Sequence, residues 1–297
     1  MGGYVFGNGG PSWNGIPMIG GAQPDFSGNT WFVDSVTGSD GNTGLSWAKP
    51  FKTLAYAISV NNNAMASAGM ANRRSTIFIA GVFTESLAVF PNNCDIIGAG
   101  NSPMLPMAEI VGIASPANVQ QSARFYNVHF VGGAGTASIV SMGSNTSGNE
   151  FHGCIFTCGT TQHNTAISVT GSLGLVVKKC QFVGGFSAAY IYFHAGDAGN
   201  VIVSGNTMCE GTSHGIWVEA GTVVDEAVIS GNIISCAQKC INDLSGVFFI
   251  TRNNGFTAAP KGTNGAGGFV GALTKMQDNR LTASDVNNAI VPAEGTL

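Results

Sequence analysis

Charged side chains are scarce in this sequence. It has 12 Lys and Arg and 16 Asp and Glu among 297 residues, or 9%, against about a quarter in ordinary soluble domains. Disorder goes with high charge and low apolar content, so the apolar fraction of 44% argues against it. The net charge of −4 provides no basic surface, and we expect no nucleic-acid partner. No run of about 18 apolar residues occurs, and we expect no membrane-spanning helix.

Metal, cofactor and targeting motifs are also missing. Among the seven cysteines, Cys236 and Cys240 are close in sequence but lack a second pair, so we predict no metal site and no cofactor. Residues 1–22 contain no Lys or Arg and no compact apolar core, and we expect no secretory signal there. Residues 211–215 spell the GxSxG nucleophile motif, but an apolar strand pattern follows instead of a helix. We interpret that string as a turn.

The sequence does contain a repeat of fixed length. The final apolar positions of five successive blocks are evenly spaced, at Phe130, Phe156, Phe182, Met208 and Ile234. A constant period of this size, about 26 residues, indicates stacked structural units. The units are β-rich and punctuated by glycine. The sequence therefore predicts an all-β fold, a parallel β-helix of about 26 residues per coil in which each coil is supported by its neighbours.

The segment before the repeats resembles a known cap. A short apolar strand and a polar Gly/Asp/Asn loop occupy residues 31–44, and apolar positions at helical spacing follow over residues 51–60. This pattern, with the apolar segment 77–87, is similar to the N-terminal cap and first coils of the pectate-lyase-like superfamily of right-handed parallel β-helix proteins. Many bacteriophage tailspikes and virion proteins belong to it. The resemblance implies a right-handed solenoid with a short N-terminal capping helix.

These patterns divide the chain into three parts. We predict a Gly-rich N-terminal arm at residues 1–30, a parallel β-helix at 31–281 with its cap at 31–60, and a C-terminal tail at 282–297. Residues 1–24 have no charged side chain and eight glycines, with scattered apolar residues. The arm either folds along its own solenoid or docks on a partner. The apolar residues that we expect to make such a contact are Tyr4, Phe6, Trp13 and Ile16.

One predicted strand is apolar on both faces. Alternation puts Val176, Ile202 and Val228 on the outer side of the solenoid, in register at the repeat period. Parallel strands that are covered on both sides have this composition. We therefore predict that these residues bind another subunit, and the family resemblance implies a homotrimer. The alternative is a cover supplied by the chain's own arm or tail.

Two polar ladders are expected at the turns. Asn206 and Asn232 are separated by one repeat period, and we predict that the ladder continues at Asn253 or Asn254 and then at Asn279. Cys154 and Cys180 have the same spacing and should stack on adjacent coils. We predict a ladder of buried free thiols there, although a disulfide is sterically possible at this strand spacing.

Groups that could perform chemistry are few. Weak catalytic candidates are His194, Asp197, Glu219 and Asp225, because the period brings His194 near Glu219 and Asp197 near Asp225. A carboxylate pair about 5–9 Å apart can cleave a glycosidic bond, but solvated turn residues would look the same. The repeats from 125 to 250 contain three Lys and no Arg, which disfavours a polysaccharide lyase.

Aromatic residues offer a second kind of candidate site. Tyr190, Tyr192 and Trp217 are candidates for a platform on which sugar rings stack, with core or interface packing as the alternative.

Three functions stay open at this point. The first is a non-catalytic structural virion protein, a β-helical head decoration, fibre or spike subunit assembled in the bacterial host cytoplasm. Its expected partners are its own copies and, through the arm, other virion proteins such as the major capsid protein. The second is a glycan-degrading tailspike or polysaccharide lyase or hydrolase, and the third is a carbohydrate-binding adhesin that contacts a host surface glycan.

Overall fold

A computed structural model of the chain shows a parallel β-solenoid. It describes residues 29–66, 73–99, 108–116, 120–135, 137–144, 146–211, 213–224, 226–257 and 276–283, with short strands at 4–7, 10–13, 16–17 and 269–270. Three long parallel sheets, here called sheets I, II and III, run along the solenoid. The described residues contain no helix long and apolar enough to cross a bilayer.

The strands of each sheet follow one another coil by coil. Sheet I consists of Thr30–Asp34, Ser75–Ala80, Cys94–Gly98, Gln120–Gln121, Ala123–Tyr126, Thr146–His152, Leu173–Lys178, Val201–Ser204, Ala227–Ser230, Phe249–Thr251 and Met276–Gln277. Sheet II consists of Val82–Thr84, Glu109–Val111, His129–Val131, Ile155–Thr157, Gln181–Val183, Thr207–Gly211, Ile233–Cys236, Asn254–Thr257 and Arg280–Ala283. Sheet III consists of Val140–Met142, Thr165–Val169, Ala189–Phe193, His214–Val218, Ile241–Asp243 and Phe269–Val270. A two-stranded parallel pair, Gly196–Asp197 with Thr222–Val223, adjoins them.

The predicted vertical stacking is confirmed by the strand register. The five apolar positions from Phe130 to Ile234 pair one above another along sheet II. The rings of Phe156 and Phe182 are stacked with centroids 4.8 Å apart and planes within 7°. Phe130 stacks on Phe156 in the same way, at 5.0 Å. Such buried ring columns fill the interior of the solenoid.

The asparagine ladder is confirmed, and it uses Asn253 rather than Asn254. Asn206, Asn232, Asn253 and Asn279 are buried at the turn between sheets I and II. From Asn232 onward, the side-chain oxygen of each asparagine accepts hydrogen bonds from the backbone and side-chain N–H of the asparagine before it, with distances of 2.9–3.1 Å. The residue before each ladder asparagine has positive φ, and two of these residues are glycines.

The cysteine ladder is the N-terminal continuation of the asparagine ladder. Cys154 and Cys180 are buried free thiols, as predicted. Each Sγ donates to a carbonyl 29 residues earlier, at 3.4 Å, which is the same offset that Asn206 Nδ2 uses to reach Val177 O. The backbone N–H of Cys180 donates to Asn206 Oδ1 at 2.8 Å, so the two ladders are joined.

The predicted capping helix is present, but it begins and ends further along the chain than the predicted range 51–60. It spans Leu54–Met65 because Thr53 provides the N-cap and accepts from Tyr56 N. Glu85, from a later coil, accepts from Leu54 N at 2.9 Å and Ala55 N at 2.8 Å, which satisfies two further free N–H groups of the first turn. Leu54 is buried in the core. The helix is thus attached to the first coils by both packing and capping.

The two ends of the chain are described only in part. In the arm, the strands Tyr4–Gly7, Gly10–Trp13 and Ile16–Pro17 form a small antiparallel sheet that pairs Tyr4 with Trp13. The side-chain contacts predicted for Tyr4, Phe6, Trp13 and Ile16, and the tail beyond 283, lie outside the described residues. The proposed division into arm, solenoid and tail stays a prediction.

The asparagine ladder should contribute measurably to stability. We expect Asn232→Ala to lower the free energy of unfolding by about 2 kcal/mol, because it removes the side-chain acceptor of the buried Asn206 N–H and the side-chain donor to Val203 O. Chemical denaturation with the exposed Asn254→Ala as control would measure it. Equal midpoints for the two variants would contradict a stabilising ladder.

Candidate functional site

A cluster of aromatic and ionisable side chains lies on the outer side of sheet III. The strand register places Ser141, Ser168, Tyr192, Trp217 and Asn242 in one column, each on its own coil. Their chain neighbours, such as Ile191 and Ile216, are buried in the core, so this column faces outward. The polar and aromatic side chains that share this surface are therefore brought together by coil stacking.

Glu219 is held in place from two sides. Its Oε1 accepts a hydrogen bond from the Tyr192 hydroxyl, and its Oε2 accepts one from Ala195 N at 2.9 Å. The Nδ1 of His194 lies 3.8 Å from the same Oε2. The sequence prediction that His194 and Glu219 are neighbours on adjacent coils is confirmed, although the step in this sheet, from Tyr192 to Trp217, is one residue shorter than the period.

Ser168 is a further member of the cluster that the sequence reasoning missed. His194 Nε2 is 3.1 Å from Ser168 Oγ, one coil earlier. The two positions are one repeat period apart, so the sequence contained the signal, but a serine in an apolar strand did not stand out. The histidine therefore lies between a hydroxyl on one coil and a carboxylate on the next.

Aromatic rings cover one side of this group. Tyr192 and Trp217 are stacked at 4.7 Å with planes within 14°, and His194 packs against Tyr192 with ring centroids 4.1 Å apart. His214 packs against Trp217, also at 4.7 Å. The indole Nε1 of Trp217 is buried and has no hydrogen-bond partner among the described residues.

The electrostatics of the cluster keep Glu219 ionised and Tyr192 protonated. The hydrogen bonds from Tyr192 and from Ala195 N, with a smaller contribution from His194, lower the pKa of Glu219 below its ordinary value. Burial, together with the hydrogen bond to Glu219, raises the pKa of Tyr192 to about 12. Burial lowers the pKa of His214. A carboxylate with a lowered pKa is poorly suited to act as a general acid near neutral pH.

The other predicted site residues lie elsewhere. Tyr190 does not belong to an exposed platform, because its ring lies inside the solenoid against Phe182 and Phe186. Gly215 occupies the equivalent position one coil later, and a Cβ there would meet the backbone oxygen of Cys240 at 2.2 Å, so only glycine fits at that position. The Tyr190 hydroxyl donates to the carbonyl of Ser235 at 3.4 Å.

Of the second predicted carboxylate pair, Asp197 and Asp225, the structure describes only Asp197. Asp197 is exposed, pairs in register with Val223, and accepts from Gly199 N at 3.0 Å within its own turn. Asp225 lies outside the described residues. Within the described ranges, no three His, Cys, Asp or Glu side chains gather as a metal-binding group.

The predicted partner-binding column lies on the outer side of sheet I. Val176, Ile202 and Val228 pair in register as predicted, and Phe249 continues the column. The first three are partly buried, while Phe249 is 53% exposed. We call these four residues the apolar column.

The same outer face of sheet I carries charged instead of apolar residues in the coils directly before Val176. Asp95, Arg124 and Glu150 occupy the column positions before Val176. The Arg124 guanidinium binds the buried Asp95 carboxylate with two bonds, at 2.7 and 2.9 Å, and Arg74 adds a third at 3.0 Å. The Asp95 carboxylate is thus paired with two guanidinium groups of the same chain, whereas the side chains of the apolar column remain partly exposed.

Comparisons with known proteins identify no family. No family model matches the chain, and no curated protein matches it. One solved structure, the native GH136 lacto-N-biosidase from Eubacterium ramulus, aligns with a TM-score of 0.34 and 8% identity over 86% of this chain and 68% of that chain. Similarity at this level carries no information on activity.

The hydrogen bond between Tyr192 and Glu219 should be visible in an alkaline titration. Because the pKa of Tyr192 is about 12 in the folded chain against 10 in an unfolded one, its contribution to stability is complete below pH 10 and is lost as pH rises toward 12. We expect Tyr192→Phe to remove one late-ionising component from the tyrosinate absorbance, with circular dichroism monitoring the fold. Tyr56→Phe, at an exposed residue, is the control. A Tyr192→Phe titration in which the late component persists undiminished would show that Tyr192 ionises normally.

Proposed function

We propose that this protein is a structural subunit of a bacteriophage particle, a β-helical head decoration, fibre or spike protein, and that it associates with its own copies through the apolar column of sheet I. The resemblance of residues 31–100 to the cap of phage β-helix proteins supports the particle assignment. The partly exposed apolar column is the observation that carries the self-association.

The shape of this column suits a second copy of the chain. Four adjacent strands at a spacing of about 4.8 Å extend it over about 14 Å along the solenoid axis. The ladder is regular, because parallel pairing holds each residue directly above its equivalent in the coil before it. An identical column on another subunit would match it in spacing and chemistry, and contact would remove apolar surface from water. The trimeric state is the one that the family resemblance implies.

The glycan-cleaving alternative is less well supported by the geometry of sheet III. A glycosidase needs one carboxyl group that is protonated near neutral pH, to act as the acid. Glu219 is ionised because the hydroxyl of Tyr192 and Ala195 N both donate to it. The stacked pair of Tyr192 and Trp217 still favours contact with a sugar ring, which fits an adhesin on the same particle.

A charge in the apolar column should disrupt self-association. We expect the wild-type protein to be a trimer in light scattering and Ile202→Glu to be monomeric or unfolded, because a carboxylate in the contact would lose its hydration. Gln181→Glu adds the same charge at an exposed site on sheet II and should remain trimeric.

Two outcomes would refute this interface. A monomeric wild-type protein would refute self-association altogether. A folded, trimeric Ile202→Glu variant would show that copies meet elsewhere. If Ile202→Glu fails to fold, the milder Val228→Ser should still shift the monomer–trimer equilibrium toward monomer, and an unchanged equilibrium would refute the column as the contact.

The arm is the part that we propose to contact other virion proteins, such as the major capsid protein. Residues 1–24 combine apolar side chains with no charge, which suits a segment that is buried on a partner. Removing residues 1–24 should therefore abolish incorporation into particles, measured as occupancy in purified virions, while the isolated protein stays folded. Normal occupancy after this truncation would exclude the arm as the anchor.

A further inference from the structure

Ser168, His194 and Glu219 form a continuous line of contacts across three coils. Ser168 Oγ lies 3.1 Å from His194 Nε2, and His194 Nδ1 lies 3.8 Å from Glu219 Oε2. The two nitrogens of one imidazole thus face a hydroxyl on one side and a carboxylate on the other. This is the order of groups in a nucleophile, general base and orienting acid. The contact to Glu219 is longer than a hydrogen bond, and a relay of this kind requires it to shorten when substrate binds, as catalytic contacts commonly do.

We propose that Ser168 is the nucleophile of an ester-hydrolysing site, with His194 as its general base and Glu219 as the carboxylate that positions His194. This role differs from the glycosidase acid considered for Glu219 above, since an orienting carboxylate must stay ionised. It does not rest on the proposed self-association, which uses apolar contacts on another sheet.

The positioning of Glu219 supports this assignment. The Tyr192 hydroxyl and Ala195 N hold both carboxylate oxygens, so the carboxylate cannot turn away from the imidazole without breaking a hydrogen bond. The ring of Tyr192 packs against His194 and limits its rotation as well. A relay needs such support, because small displacements of the base cost much of the rate.

The reaction balances with water as the only co-substrate. Ser168 Oγ attacks the ester carbonyl carbon while His194 Nε2 takes the hydroxyl proton. The bond from that carbon to the alcohol oxygen then breaks, and His194 returns the proton to the departing alkoxide. Water, deprotonated by His194, then attacks the acyl carbon of the acyl-serine. The bond from that carbon to Ser168 Oγ breaks, the carboxylic acid leaves, and His194 gives its proton to Oγ, which restores the Ser168 hydroxyl.

The surroundings indicate a sugar carrying a small O-acyl group. Ser168 is only 6% exposed, so a bulky acyl chain could not reach its hydroxyl and a short one is the largest group that we expect it to accept. The adjacent Trp217, partly exposed and stacked on Tyr192, offers an aromatic face for the ring of a sugar.

Two other hydroxyl–histidine contacts provide matched comparisons. Ser213 Oγ lies 3.0 Å from His214 Nδ1, in the GxSxG string, and a strand rather than a helix follows it as expected. On sheet II, Thr157 Oγ1 lies 2.9 Å from His129 Nε2, and His129 Nδ1 lies 3.3 Å from Glu109. No described aromatic ring stacks on His129, and its hydroxyl is that of a β-branched threonine with restricted rotation. Both serve as controls.

The test uses the full chain with p-nitrophenyl acetate and glucose pentaacetate as substrates. We expect hydrolysis above the buffer rate and covalent labelling at Ser168 by a fluorophosphonate, located by mass spectrometry. Ser168→Ala and His194→Gln should each lower kcat/KM by about 100-fold or more. Glu219→Gln should lower kcat with little change in KM, and Glu219→Asp should recover part of the loss.

The control variants make the assignment falsifiable. Ser213→Ala and Thr157→Val should leave both hydrolysis and labelling unchanged, and Trp217→Ala should raise KM for glucose pentaacetate. Absence of hydrolysis and of labelling in the folded wild-type chain would overturn the proposal. So would full activity in Ser168→Ala, or a label on Ser213 or Thr157. An unchanged KM in Trp217→Ala would overturn the assignment of a sugar substrate.

Discussion

In-register pairing of parallel strands is the constraint on which this structure depends. Each backbone hydrogen-bond ladder places a residue directly above its equivalent one coil earlier, about 4.8 Å away. At that distance like side chains touch, so the interior becomes a set of columns. Phe130, Phe156 and Phe182 stack their rings nearly parallel, and Asn206, Asn232 and Asn253 pass hydrogen bonds along a buried line. A substitution in one coil is therefore felt by the coils on both sides.

The same pairing also aligns the outward-facing side chains into columns, but the residue types in these columns vary more from coil to coil than those of the core. Interior positions must repeat because each side chain packs on its equivalents, whereas an outward column can change from coil to coil. On sheet I the column contains charges bound to one another, as in Asp95 and Arg124, and continues with the apolar residues from Val176 onward. On sheet III the column runs from serine to tyrosine to tryptophan. The proposed interface and the proposed ester site are both products of this outward variation.

Contacts between residues at or near one repeat period apart were predicted correctly from the sequence. The phenylalanine and asparagine ladders, the buried thiols of Cys154 and Cys180, and the neighbouring positions of His194 and Glu219 are examples. The capping helix was predicted but begins at Leu54 instead of Phe51, because capping by Thr53 and Glu85 fixes its start. In sheet III, Tyr192 and its equivalent Trp217 are separated by one residue less than the period. The turns between sheets can differ in length from coil to coil while the strands stay in register.

The sequence by itself determined the solenoid, its period and the columns of its core, because burial of equivalent residues one period apart leaves a regular pattern along the chain. The tertiary structure decided which side chains meet across coils. Only the folded backbone turns Tyr190 inward over Gly215 while its near neighbour Tyr192 faces outward to bind Glu219. Only the stacking of three coils places Ser168, His194 and Glu219 in line. Such contacts depend on side-chain direction and on turn length, and a repeat period specifies neither.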